Sequence, residues 1–441
     1  MSQVTSQVVP DGYKQTEVGI IPNDWASLTL DDVCCFVGGS QPEKSTFSYK
    51  QQPGYIRLIQ IRDYKSDKNT VYIPEKLARK KCDENDIMIG RYGPPIFQIL
   101  RGIEGAYNVA LIKAIPASCI NREFLYYILK DEQLFELMDT LSQRSSGQTG
   151  VDLPALKAYP IGLPSEKEQT AIATALSDVD ALFDELAKLI AKKQAIKTAT
   201  MQQLLTGKTR LPQFSIYADG DKQGQIKGTK PSELGEIPED WDVVDFGELF
   251  EPTILRKKLK TIDLTTFVGM QDVSESAQLK MQTQIPFGDV KSGFTYFEKG
   301  DVLVAKITPC FENGKGAQTH SLGTEIGFGS TEFHVLRSRR SADSDFIYFW
   351  TTRESLRKEL EGEMVGSAGH RRVPLSAIQN YKIQCPPTKQ EQTTIATILS
   401  DMDEEIQALQ QRLTKTRQIK QGMMQELLTG KTRLIQGEVD D

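Results

Sequence analysis

Two glycine-flanked loops are dense in side chains that donate and accept hydrogen bonds. The first holds Gln143, Arg144, Ser145, Ser146, Gln148 and Thr149 within SQRSSGQTG. The second holds Ser367, His370, Arg371 and Arg372 within GSAGHRR. Residues of the same types lie on or just after segments with strand patterning. They are Arg57, Gln60, Arg62, Arg91 and Tyr92 in the first half, and Gln271, Lys306, Thr308, Asn313 and Lys315 in the second. The chemistry open to such a set is recognition. Arginine and lysine suit guanine, asparagine and glutamine suit adenine, and serine and threonine suit either, when delivered into a major groove. Arg256, Lys257, Lys258 and Lys260 form a basic run better suited to phosphates, which position without specifying. Plainer roles stand beside these. An arginine on a strand serves readily in a surface ion pair. Asn313 in ENGKG suits a turn that its own side chain caps. Trp25 and Trp241 read as core anchors rather than stacking platforms.

Bond-making chemistry finds little support. LLTGKTRL contains GKT, but a phosphate-cradling loop needs a glycine five positions earlier. Gln202 and Gln425 stand there, so a helix cap is the better reading. GPPIF (93–97) is a faint match to the N/D-P-P-Y/F loop of amino-methyltransferases. Gly93 stands where an amide or carboxylate should hold the amine, and no glycine-rich cofactor motif accompanies it. No nucleophile elbow or HExxH occurs. Six cysteines and three histidines show no metal-ligand spacing. Neither a catalytic residue nor a metal site is expected.

The elements that must position the loops come from a duplication. Residues 164–211 begin PSEKEQTAIATALSDVD, residues 387–434 begin PTKQEQTTIATILSDMD, and both end in LLTGKTRL. The copies align without a gap, with about half of the positions identical. Each predicts one long helix. Ser165 with Glu168, and Thr388 with Glu391, form capping boxes at the start. Apolar residues follow a coiled-coil spacing: Ile172, Leu176, Val179, Phe183, Leu186 and Ile190, then Ile395, Leu399, Met402, Ile406, Leu409 and Leu413. The rhythm slips after Ile190 and Leu413 and resumes at Ile196 and Ile419. Gly207 and Gly430 suit the position just past a helix end. About 40 residues at 1.5 Å each make a rod of roughly 60 Å.

VGIIPNDW (18–25) and LGEIPEDW (234–241) extend the repeat to the segments before each rod. Strands are expected at 54–64, 86–93 and 106–115, and at 265–273, 300–309 and 332–338. Helices are expected at 123–141 and 345–362. This gives an α+β chain: two mixed α/β domains separated by two long antiparallel coiled-coil helices, with a pseudo-two-fold internal repeat. The boundaries fall at 1–163, 164–211, 212–386 and 387–441, with a polar linker at 212–231. The composition, 39% hydrophobic and 25% charged, is that of an ordinary soluble chain. No run is long and apolar enough for a membrane helix. The first residues resemble no signal peptide, and a cytoplasmic protein is expected. The net charge of −6 argues mildly against nucleic acid, although charge averages over faces.

Domain, rod, domain, rod, together with GDVLVAKITPCFENGKGA (300–317), the LP/PP-x-x-x-EQ entry to each rod and the terminal LLTGKTRL, closely resembles the specificity subunit of Type I restriction–modification systems. The resemblance covers nearly the whole chain; the first domain matches mainly in layout. It implies two target recognition domains reading a bipartite double-stranded DNA target through the loop and strand residues named above. It implies rods that set half-site separation and dock two modification subunits. S-adenosylmethionine is expected on that partner, for adenine N6 methylation. ATP and magnesium are expected on restriction subunits, and no cofactor on this chain. A coiled-coil scaffold binding protein alone, or a fused single-chain methylation and restriction enzyme, are the rival readings.

Overall fold

The computed structural model describes residues 9–144, 150–290, 292–367 and 369–435. The chain divides into two compact units, residues 1–187 with 411–441, and residues 188–410. The expected helices are present as Glu166–Leu205 and Lys389–Leu427, here called the proximal and distal rods. Each unit contains a globular part, the start of one rod and the end of the other.

In the first unit, strands Tyr72–Pro74, Tyr55–Ile59, Gly105–Tyr107 and Lys81–Cys82 form one sheet in that order. Strands Cys34–Gly38, Leu111–Pro116, Ile87–Gly90 and Ile99–Leu100 form another. Ala26–Thr29 pairs with Pro160–Leu163, which leads into the proximal rod. The second unit repeats this plan. Thr283–Pro286, Leu264–Val268, Ile326–Gly329 and Thr295–Glu298 make one sheet, and Gly316–Gln318, Val302–Ala305 and Phe333–Leu336 the other. Asp242–Asp245 pairs with Lys382–Cys385 ahead of the distal rod. One pairing in each unit is parallel, Tyr55–Ile59 with Gly105–Tyr107 and Leu264–Val268 with Ile326–Gly329.

Several expected elements are shorter, for local reasons. The strand expected over 54–64 stops at Ile59, because the Asp63 carboxylate accepts from the Gln60 amide and winds Ile61–Tyr64 into a 3-10 turn. Asp272 does the same to the Gly269 amide, ending the strand at Val268. The strand expected over 106–115 is interrupted at Asn108, whose side chain accepts from the Ala110 amide. The strand expected over 300–309 is confined to Val302–Ala305. The first expected helix is two, Arg122–Leu129 and Glu132–Arg144. Asp131 caps the second by accepting from the Gln133 and Leu134 amides. The other also divides, into Ser344–Thr352 and Glu354–Glu361.

Most of the apolar positions along the rods are covered. Ile172, Leu176, Leu186, Ile190, Ile395, Leu399 and Ile406 are buried, and Val179, Phe183, Met402, Leu409 and Leu413 half-buried. The expected slip and resumption are wrong. Ile196 and Ile419 are 42% and 49% exposed. The spacing instead continues unbroken through polar residues, Lys193 and Lys197 on one rod and Thr416 and Lys420 on the other. Their polarity broke the apolar pattern without breaking the geometry. Within the first unit Lys420 pairs with Asp180. Within the second, Lys197 reaches Asp403 at 2.5 Å and Lys193 reaches Glu405 at 2.7 Å. Arg417 also lies over the Phe183 ring, so within each unit the residue numbers rise along one rod as they fall along the other.

Only half of each capping box forms. Ser165 and Thr388 accept from the amides of Glu168 and Glu391. The two carboxylates turn instead to arginines at the end of the other rod. Arg433 bonds Glu168 and Asp24, and Arg210 bonds Glu391 and Asp240. A charged, bidentate partner outcompetes a backbone amide. Trp25 and Trp241 are buried beside these clusters, as core anchors. Trp25 donates its indole N–H to Glu168 at 3.1 Å, whereas the Trp241 indole nitrogen is buried without an acceptor among the described residues. Gly207 and Gly430 adopt φ of +68° and +70° and lie against Pro238 and Pro22. A Cβ would come within 2.6 and 2.5 Å of those proline rings, so the turn requires glycine.

Candidate nucleic-acid interface

In the second unit the backbone gathers the predicted residues around one thread. Val302–Ala305 runs out of its sheet into Lys306, Ile307 and Thr308. The Lys306 amide donates to the Glu332 carbonyl, and the Lys306 carbonyl accepts from the Val373 amide, both at 2.9 Å. The Thr308 amide donates to the Arg371 carbonyl at 2.9 Å. Val365 and Arg372 exchange amide and carbonyl at 3.0 and 2.8 Å, closing the glycine-rich loop as a tight hairpin. Lys306, Thr308, Arg371 and Arg372 thus share one patch, with Ser367 and His370 exposed on the loop beside it.

Two carboxylates that the sequence patterning did not single out, Glu312 and Glu332, organise that patch. Arg372 forks onto Glu332 through Nε at 2.9 Å and Nη2 at 2.7 Å. The fork holds the Glu332 carboxyl below its ordinary range. Arg371 lies 3.6 Å from Glu312, which also accepts from the Thr308 hydroxyl at 3.2 Å. The second Glu312 oxygen is buried without a partner among the described residues. Lys306 is half-buried and makes no ion pair among the described residues. His334 donates from Nε2 to the Val373 carbonyl at 2.8 Å, and burial pushes its imidazole below the ordinary value. Gln271, Asn313 and Lys315 form a neighbouring group. Asn313 donates to Glu275 at 2.9 Å, Lys315 to the Met270 carbonyl at 3.1 Å, and Gln271 leans on Asp272.

The first unit has the same thread. The Arg91 amide donates to the Ala110 carbonyl at 2.8 Å, and the Arg91 carbonyl accepts from Val151 at 3.0 Å. Arg91 therefore stands where Lys306 stands in the second unit. Its guanidinium lies over the Tyr92 ring at 5.4 Å, with Nε buried and lacking an acceptor among the described residues. Arg57 is held by Asp67 at 2.7 Å, beside buried Asp63. Gln60 is half-buried, and Arg62 is exposed. Gln143 donates to Asp139 at 2.8 Å. Ser145, Ser146, Gln148 and Thr149 lie outside the described residues, as does the Arg144 side chain.

The basic run behaves unevenly. Lys257 pairs with Glu298 at 2.5 Å, and Arg256 lies over the Tyr296 ring. Lys258 and Lys260 are exposed, and their ammonium groups make no ion pair among the described residues. No cluster of metal-ligating side chains and no helix long and apolar enough to cross a membrane occurs among the described residues.

The family model of the Type I restriction modification DNA specificity domain matches residues 22–198 and 238–419. A Type I restriction enzyme specificity subunit of Escherichia coli, EcoEI, is 34% identical over 40% of this chain. The match spans 31% of that relative's length. The MjaVIII specificity subunit of Methanocaldococcus jannaschii is 24% identical over 96% of both chains. Among solved structures, a Type I restriction–modification S subunit from M. genitalium aligns with a TM-score of 0.54. It covers 92% of this chain and 96% of that one at 16% identity, a likeness of fold.

Proposed function

The chain belongs to the Type I restriction modification DNA specificity family, as the specificity subunit of such a system, and we propose that it reads a bipartite DNA target, one half-site per globular domain. The observation that carries this reading is the thread common to both units. Arg91 and Lys306 occupy equivalent places, each bonded on one side to the residue just before a strand and on the other to the valine that follows a donor-rich, glycine-flanked loop. Two such readers match two half-sites. Arg371 and Arg372 read bases in the second half-site, with Lys306 and Thr308 beside them, and Lys258 and Lys260 hold phosphates.

On this reading the recognition domains are residues 1–163 and 212–386, and the rods, 164–211 and 387–441, are an antiparallel coiled coil with pseudo-two-fold symmetry that fixes half-site separation. The seam residues serve the helix pair and, through it, the docking of two modification subunits. Those partners carry S-adenosylmethionine and methylate adenine N6; restriction subunits carry ATP and magnesium. This chain contributes recognition and no catalysis, in the cytoplasm.

Methylation-sensitive sequencing of host DNA, with and without this chain, tests the proposal. The expected result is a two-part adenine-methylated motif with a fixed nonspecific gap, lost when the chain is deleted. A contiguous motif, or a pattern indifferent to the deletion, overturns it.

A further inference from the structure

We infer that Glu332 is a specificity-determining positioning residue of the second recognition domain, holding the Arg372 guanidinium to read a guanine edge. The inference rests on the proposed DNA contact of Arg372 and goes beyond it by assigning a role to a carboxylate.

The internal repeat supplies the first argument. Glu332 accepts the Lys306 amide through its backbone carbonyl. In the first unit Ala110 does the same for Arg91. The fold at this position therefore needs a carbonyl and is satisfied by alanine. The carboxylate of Glu332 is an addition specific to the second domain.

The fork geometry supplies the second. Glu332 takes Nε and one N–H of Nη2, the lateral edge of the guanidinium. The Nη1 group and the other N–H of Nη2 remain, and together they form the terminal edge. That edge presents two parallel donors, which match the O6 and N7 acceptors of guanine. Among the described residues Nη1 otherwise makes only a long contact of 3.3 Å to the His370 carbonyl, which a base edge can displace. A free arginine loses rotamer entropy when it binds; one already held loses less.

A carboxylate near DNA also repels phosphates. A residue serving affinity alone would not be acidic, so its presence has to be offset by gain in selectivity. This gives opposite signs to two measurable quantities. The full chain, co-purified with its modification partner, is used to select duplexes from a random library, and non-specific binding is measured by anisotropy on random duplex. Glu332→Ala should lower the preference for guanine at one position of the second half-site by about tenfold or more. Its binding to random duplex should stay equal or tighten. Arg372→Ala should abolish the same preference, and the double variant should match Arg372→Ala. Glu332→Gln, which keeps one acceptor, should retain part of the preference. A Glu332→Ala protein that selects every base as sharply as the wild type overturns the inference and leaves a surface ion pair. An Arg372→Ala protein with unchanged target and affinity overturns the DNA contact itself, so the two failures are told apart.

Discussion

The Arg433 guanidinium forks onto the Glu168 carboxylate, through Nε at 2.6 Å and Nη2 at 2.8 Å, although 265 residues separate them. The same arginine holds Asp24 at 2.7 Å. Arg210, Glu391 and Asp240 repeat the arrangement in the second unit. Each cluster ties the end of one rod to the start of the other and to the IP-x-DW segment. The Glu168 side chain is only 2% exposed, so removing that arginine strands it away from water.

Arg433→Ala should therefore destabilise the first unit by about 3 kcal/mol, the scale of stranding one partner of a buried pair. Urea unfolding of the full chain checks this. The acid limb adds a sign. The Arg433 hydrogen bond holds the Asp24 carboxyl below its ordinary value. Burial opposes ionisation of Asp240, but Arg210 and Lys227 outweigh it, and its value also falls. A depressed folded value gives stability that is complete above the unfolded carboxylate range, about 4. That stability is lost as pH falls through the folded value. The gap between wild type and Arg433→Ala should thus narrow below about pH 4. A gap that widens there contradicts the assignment.

The seam makes a paired prediction. Leu186 is 5% exposed and Ile196 is 42% exposed on the same rod. Leu186→Asp places a charge in the seam and should cost about 3 kcal/mol or more, with partner assembly weakened. Ile196→Asp should cost within about 0.5 kcal/mol. Equal effects in thermal unfolding would mean the seam is drawn on the wrong face.

The polar seam pairs are best measured as a cycle. Asp403→Leu leaves Lys197 half-buried without its carboxylate and should destabilise by about 1–3 kcal/mol. Adding Lys197→Leu should recover most of the loss, because an apolar pair suits the seam as well as an ionic one. A double variant worse than Asp403→Leu alone would show that Lys197 has another essential partner.

These contrasts mark what was legible in the sequence. The rods, their caps and their spacing are local patterns, and a repeat doubles every signal. The same locality explains the error at Ile196 and Ile419: an apolar-only rhythm skips Lys197 and Lys420, whose aspartates lie 206 and 240 residues away. In the candidate interface, composition drew attention to Arg372 but not to Glu332, 40 residues distant, which decides how the arginine is held. Arg57 shows the reverse. Strand patterning offered it to a groove, and Asp67, brought close by a 3-10 turn, already occupies it.

One glycine inside the distal rod and one just past its end should respond oppositely to alanine. Gly430 has φ of +70° and faces Pro22, so Gly430→Ala should destabilise by more than about 1 kcal/mol. Gly422 lies inside the helix with open space where a Cβ would sit, so Gly422→Ala should stabilise by about 0.5–1 kcal/mol. Thermal unfolding of the two single variants reads both signs.

Lys258 and Lys260 test the division between positioning and reading. Neither ammonium is neutralised by a carboxylate among the described residues, unlike Lys257 with Glu298. A phosphate contact contributes through counterion release, which is independent of sequence. Lys258→Ala with Lys260→Ala should weaken specific and random duplex by the same factor. The slope of log affinity against log salt should fall by about 2, roughly 1 for each contact. Lys257→Ala should change the slope less, because that lysine is already committed to Glu298, which Arg337 and Tyr296 continue to hold. A loss confined to the cognate sequence would move these lysines from the phosphates to the bases.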